Sequence, residues 1–123
     1  MNKIKLKIAH QDKRGVIIDI LENQKINAIT LITIKKGAVR GNHYHKKTYQ
    51  WNYIISGKMQ LVTLQGKKIK KITLKSGDIA LTKPGEAHAL IGKTFCKCLV
   101  FTRGPRGGKE YETDTFRLKK PLA

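Results

Sequence analysis

The chain carries four side chains whose types and spacing could do chemistry together: His43 and His45, separated by Tyr44, then Gln50, and much later His88. Along a strand, side chains return to the same face every second residue, so His43 and His45 point the same way. Two imidazoles on one face can share one small target, and a third from a neighbouring strand would complete a three-nitrogen cluster. Such a cluster suits a zinc, iron, copper or nickel ion, or a proton-transfer site.

Strands must position these residues, and the pattern supplies them. Alternating or β-branched runs recur at Ile4 to Ile8, Val16 to Ile20, Ile26 to Ile34, Tyr49 to Ile55, Met59 to Leu64, Ile69 to Leu74, Asp78 to Thr82, His88 to Ile91 and Cys96 to Thr102. Turn formers separate them, among them Lys36-Gly37, Ser56-Gly57, Gln65-Gly66, Ser76-Gly77 and Pro84-Gly85. Short strands at this spacing predict an all-β sandwich or barrel. With no linker or repeat, residues 1–123 read as one domain. After Thr102 the character changes, and residues 103–123 read as a C-terminal tail packing on the barrel, tied down by Tyr111 and Phe116. A sharper alternative makes Arg103 to Lys109 a loop whose two arginines, Arg103 and Arg106, close over an anion.

The formal charge is +18, from 26 basic and 8 acidic residues. The lysines are scattered in pairs such as Lys35-Lys36, Lys46-Lys47 and Lys70-Lys71, with no basic arm and no nucleic-acid-binding motif. The expected partner is therefore a small anionic molecule, phosphate-bearing ligands included, rather than nucleic acid. No apolar run reaches the ~18 residues of a membrane span. The N-terminus lacks the apolar core of a signal peptide, so a cytoplasmic location is expected. Cys96 and Cys98 read as two small interior residues rather than a disulfide or a thiolate metal site.

The order Gly37, His43, His45, Gln50, Gly57, then Gly77-Asp78, Pro84-Gly85 and His88 resembles the two sequence motifs of the cupin superfamily, motif one over 37–57 and motif two over 77–88. That resemblance implies a cupin-type double-stranded β-helix, a jelly-roll barrel with the site in its mouth. It also implies a divalent transition metal (zinc, nickel, iron or copper) held by His43, His45, Gln50 and His88. Gln50 departs from the glutamate most metal-binding members place there, leaving a neutral, weaker ligand. Gly92 and Lys83 depart from the family's frequent asparagine and proline, at positions that are not ligands.

A narrower resemblance covers Arg40-Gly41-Asn42-His43-Tyr44-His45-Lys46, which is similar to a stretch of the dTDP-sugar 3,4-ketoisomerases. It implies metal-free catalysis, with His43 and His45 as base and acid and Arg40 near the substrate. Three readings follow. The first expectation is a metal-dependent cupin acting on a small anionic or sugar-type substrate. The alternatives are a metal-independent nucleotide-sugar isomerase or epimerase, and a metabolite-binding cupin without catalysis. Trp51 and Tyr53 fall on the opposite parity from Gln50 and should pack away from the mouth. Glu86 is a candidate to orient His88. On analogy with the family, and because an edge strand at Ile4 to Ile8 needs covering, a homodimer is expected.

Overall fold

Period-two alternation sorts the residues of each strand into an inner and an outer face, and the inner faces meet. The computed structural model describes residues 2–106 and 110–123. Its strands are β1 (Asn2–Ile4), β2 (Ile8–Asp12), β3 (Gly15–Ile18), β4 (Ala28–Ile34), β5 (Val39–Tyr44), β6 (Tyr49–Ser56), β7 (Lys58–Gln65), β8 (Lys68–Lys75), β9 (Ile79–Thr82), β10 (Ala87–Gly92), β11 (Cys96–Arg103) and β12 (Phe116–Arg117). A short 3-10 helix covers Glu110–Asp114.

Two five-stranded antiparallel sheets form the barrel. One has the order β1-β9-β6-β11-β4, the other β12-β5-β10-β7-β8. The expected all-β jelly roll is the fold found. Inward residues from both sheets share one core: Ile34, Ile54, Met59, Leu61, Leu74, Ala80, Leu90, Cys96, Cys98 and Val100. The two thiols are free and fully buried. Burial, then Cys96, pushes Cys98 up to about 12, so it is a protonated interior thiol at pH 7.

The N-terminal expectation needs correction. A single strand from Ile4 to Ile8 is absent; β1 ends at Ile4 and β2 begins at Ile8. The reason is pairing. β1 lies along β9 in the barrel, while β2 pairs with β3 in a separate hairpin, so residues 5–7 cross between two partners. Trp51 does pack away from the mouth. It is 4% exposed on the outer face of β6, beside Ile4, Leu6 and Leu21.

Along several strands the inward series turns from apolar to polar towards one end. On β6 it runs Ile54, Asn52, Gln50; on β10 Leu90, His88; on β11 Val100, Thr102; on β4 Ile34, Ile32, Thr30. The apolar end makes the core and the polar end makes a mouth. This gradient, written strand by strand, places the site.

Gly57 makes the β6–β7 turn at a φ of 84°, and a Cβ there would overlap the Phe95 carbonyl oxygen, with the Cys96 Cα at 2.9 Å. Both backbone strain and backbone collision oppose any side chain. Gly57→Ala should lower unfolding free energy by more than about 2 kcal/mol. Gly66→Ala, at φ 62° but in open space, should cost only about 1 kcal/mol. Urea unfolding of both variants checks the difference, and equal costs would refute it.

Candidate functional site

The mouth is built on the pairing of β5 with β10. His88 lies opposite His43, Ala89 opposite Gly41 and Leu90 opposite Arg40, which leaves Asn42 as an extra residue in β5. Asn42 takes a left-handed φ of 57°, as a bulge residue can. The bulge resets parity. Arg40 and His43, three apart in sequence, would face opposite ways on a regular strand, yet both line the same cavity. Gly41 has to be glycine here, since its φ is 91° and a Cβ would stand 2.8 Å from the His88 carbonyl oxygen.

The three histidines converge. Ring centroids are 4.8 Å apart for His43 and His45, 4.7 Å for His43 and His88, and 5.4 Å for His45 and His88. One nitrogen from each lies within 4.8 Å of the others. Gln50 and Asn52 face the same cavity from β6, and Thr30 faces it from β4. The cavity measures about 340 Å³, and among the described residues its lining contains three histidines and two arginines but no carboxylate side chain.

Each imidazole has a distinct environment. His45 is 7% exposed, and its Nδ1 lies 2.7 Å from the Asp114 carbonyl oxygen. A carbonyl can only accept, so Nδ1 carries a proton in that bond. Its Nε2 is buried with no hydrogen-bond partner among the described residues. His88 is 4% exposed, with Nδ1 at 3.3 Å from the Glu86 carbonyl oxygen. The Glu86 side chain accepts from the Lys83 amide at 3.2 Å. Burial, then His43 and His45, push His88 down to about 3. Burial, then His45 and Arg117, push His43 down to about 4. Both are neutral at pH 7.

The C-terminal residues supply what the sequence reading missed. Asp114 is buried, and its carboxylate accepts from the Lys46 amide (3.0 Å), the Lys47 amide (2.8 Å) and the Thr48 hydroxyl (2.7 Å). Burial alone would raise this carboxyl; the Thr48 hydroxyl and the Lys47 and Lys46 amides, helped by His45, hold it below its ordinary value. Arg106 lines the cavity, donating from Nε to the Thr30 hydroxyl at 3.3 Å and lying 5.0 Å from the Tyr111 ring centroid. Arg103 does not join it. Its guanidinium stacks on Tyr49 at 4.1 Å on the other face of the sheet. The two-arginine loop is therefore reduced to Arg106, and its residues 107–109 lie outside the described residues. Arg40 donates from Nε to the Thr33 carbonyl at 3.1 Å, and it lines the cavity wall on β5.

These residues fit a divalent ion. The orphaned Nε2 of His45 offers a lone pair, and backbone carbonyls face the second nitrogens of His45 and His88, as they do in many metal sites. The same lone pairs fit a proton-transfer site equally well. Among the described residues the donor set lacks a carboxylate: that of Asp114 is spent on Lys46, Lys47 and Thr48, and that of Glu86 accepts from the Lys83 amide at 3.2 Å.

Residues 30–101 match the family described as Cupin domain. Among solved structures, the sugar 3,4-ketoisomerase QdtA from Thermoanaerobacterium thermosaccharolyticum in complex with TDP is 26% identical, with a TM-score of 0.79 over 96% of this chain and 88% of that one. A 3,4-ketoisomerase from Helicobacter canadensis is 25% identical, with a TM-score of 0.75 over 94% and 87%. The dTDP-4-dehydrorhamnose 3,5-epimerase from Sulfolobus tokodaii shares the fold at 18% identity, with a TM-score of 0.73 over 92% and 72%. No curated protein matches the sequence.

The depressed value of His88 has a consequence for stability. In the unfolded chain this imidazole takes a proton near pH 6.5, whereas in the folded protein it stays neutral down to about 3. Its contribution is therefore complete above pH 6.5 and is lost as the pH falls towards the folded value. In chelator-treated protein, roughly 3 kcal/mol should go between pH 6.5 and 4 on this account. Urea unfolding should show a smaller acid-induced loss for His88→Gln than for wild type; equal losses would show that His88 is not the group responsible.

Proposed function

This chain belongs to the cupin family, and from that premise we propose that it is a metal-independent nucleotide-sugar isomerase that moves a ketone along a deoxysugar ring. The observation that carries the reading is the cavity itself: the imidazoles of His43, His45 and His88 at its floor, the first and last of them neutral, guanidiniums of Arg40 and Arg106 on its walls, and, among the described residues, no carboxylate side chain in its lining. A diphosphate suits such walls, because Arg binds phosphate oxygens in a bidentate fork. The likeness to ketoisomerases bound to TDP and to TDP-4-keto-6-deoxyglucose supports the same substrate class. This reading replaces the metal-dependent one as first choice.

Shifting a carbonyl by one carbon needs no redox partner. A base takes the proton from the carbon beside the ketone, and the electron pair runs to the carbonyl oxygen, giving an enediolate. A proton is then delivered to the former carbonyl carbon, the neighbouring hydroxyl oxygen becomes the new carbonyl, and its proton passes to the first oxygen. Of the two carbon protons, one needs a group that accepts it and the other a group that delivers it. His43, held down to about 4 by burial, His45 and Arg117, has its lone pair available at pH 7 and is assigned as base. His45 is assigned as acid, since its Nδ1–H is taken up by the Asp114 carbonyl and Nε2 is left for the substrate. His88 packs edge-on against His43 at 4.7 Å and limits the tilt of the base.

A second reading is favoured by one observation, the partnerless Nε2 of His45 inside a three-imidazole cluster. His43, His45 and His88 would hold a divalent ion there, with Gln50 beside them, and the ion would polarise a substrate oxygen as a Lewis acid.

We assign residues 1–123 to one catalytic unit and expect a cytoplasmic homodimer. Support for self-association comes from the outer face of β4 and β11. Ile29 and Leu31 are 64% and 60% exposed there, paired with Phe101 and Leu99 across the strands. A second copy would cover this apolar strip. Sedimentation should give a dimer that Leu31→Glu dissociates; a monomeric wild type would overturn this part.

The function test is turnover of dTDP-4-keto-6-deoxyglucose by chelator-treated protein. His43→Gln and His45→Gln should each lower kcat by about 10² or more. Arg40→Ala and Arg106→Ala should weaken TDP binding about tenfold each with the melting temperature little changed. Activity abolished by chelation and restored by zinc would move the assignment to the metal reading. TDP binding without turnover would leave a binding module.

A further inference from the structure

The 3-10 helix Glu110–Asp114 comes from the far end of the chain and closes on the turn that follows His45. Its last residue acts there with two different groups. The Asp114 carboxylate accepts three donors at 2.7–3.0 Å from Lys46, Lys47 and Thr48. The Asp114 carbonyl accepts from Nδ1 of His45 at 2.7 Å. Asp114 is 3% exposed, so water competes little for any of these bonds. The other two acids of the helix, Glu110 and Glu112, are exposed. Burying a carboxylate is costly unless its lone pairs are met, and three donors meet them here.

Neutral imidazole can carry its proton on either nitrogen, and the hydrogen bond made by one nitrogen decides the state of the other. Asp114 controls that choice for His45. If the carbonyl moved away, the neutral ring could keep its proton on Nε2, and the proton that His45 is assigned to deliver would be held back from the substrate. We propose that Asp114 is a positioning residue: its carboxylate locks the 46–48 turn to the helix, and that lock holds the Asp114 carbonyl where it fixes His45 as the Nδ1–H tautomer with Nε2 presented to the cavity. The device spans 66 to 69 residues of sequence. Arg106 and Tyr111, which come from the same part of the chain, also line the cavity. One segment therefore supplies both a wall of the binding site and the register of a proton-transfer group. The catalytic consequence rests on the isomerase reading; the tautomer does not.

The experiment uses the full chain labelled with ¹⁵N-histidine, with long-range ¹⁵N–¹H spectra recorded where the imidazoles are neutral. Wild type should show His45 as a single Nδ1–H tautomer. Asp114→Ala should show a substantial Nε2–H population, Asp114→Asn a smaller one, and Glu110→Gln none. In turnover of the keto sugar nucleotide, Asp114→Ala should lose at least about tenfold in kcat while KM stays within about threefold, with Asp114→Asn in between. A His45 tautomer unchanged in Asp114→Ala would overturn the proposal whatever the activity does. If wild type turns over no sugar nucleotide, the isomerase reading fails, and the spectra still decide the role of Asp114. Should Asp114→Ala fail to fold, Asp114→Asn and Thr48→Val carry the same comparison, and a wild-type spectrum in both would refute the lock.

Discussion

The site depends on one extra residue in one strand. Asn42 bulges out of β5 where that strand pairs with β10, and the bulge turns a strand that would split its functional side chains between two faces into one that gathers them. Arg40 stays inward before it and His43 is turned inward after it, opposite His88. The bulge is held on both sides. Gly41 lets β10 approach closely, where any Cβ would strike the His88 carbonyl. Asn42 receives the C-terminal residues, its carbonyl accepting from the Leu118 amide at 2.9 Å and its side-chain oxygen from the Leu122 amide at 2.8 Å. A left-handed residue that is hydrogen-bonded this fully is a fixed point rather than a loose one.

Charge is arranged around that fixed point in an economical way. The chain carries +18 overall, yet its histidine cluster is kept uncharged at two of three positions, because burial and mutual proximity disfavour imidazolium. Positive charge at the mouth comes instead from guanidiniums, which cannot titrate near neutrality. In the proposed isomerase, recognition and proton transfer are thereby given to different chemical groups. On that reading an anionic ligand is attracted by groups whose charge never changes, while the imidazoles remain free to exchange protons. The scarce acids serve structure: Asp114 ties the turn after His45, and Asp78 caps its own turn by accepting from the Lys75 amide at 2.9 Å.

A polar mouth on an apolar core needs no special element. It follows from the inward series on β4, β6, β10 and β11, each of which ends in Thr, Asn, Gln or His after beginning in Ile, Leu or Val. The apolar half stabilises the barrel by burial. The polar half is left with hydrogen-bonding groups that the core cannot satisfy, and such groups are what a ligand can use.

Much of this was legible in the residues. Alternation and turn formers gave the strands, the glycine and histidine spacing gave the family, and parity alone put His43 and His45 together and turned Trp51 away. The misjudged pieces share a cause. A strand from Ile4 to Ile8 was expected because alternation says nothing about partners, and β1 and β2 turned out to have different ones. Arg103 and Arg106 looked equivalent in a basic, glycine-rich stretch, yet one stacks on Tyr49 outside and the other enters the cavity. Asp114 carried no signal at all, being one acid among three in a polar tail. The sequence by itself determined what repeats locally: strand periodicity, turn positions, the histidine pair and the net charge. Only the tertiary structure decided the bulge that turns Arg40 and His43 to one face, the register that sets His88 directly opposite His43, and the grip of Asp114 on His45. Those depend on register between strands and on contacts across 66 or more residues, and no local pattern encodes where two distant backbones will touch.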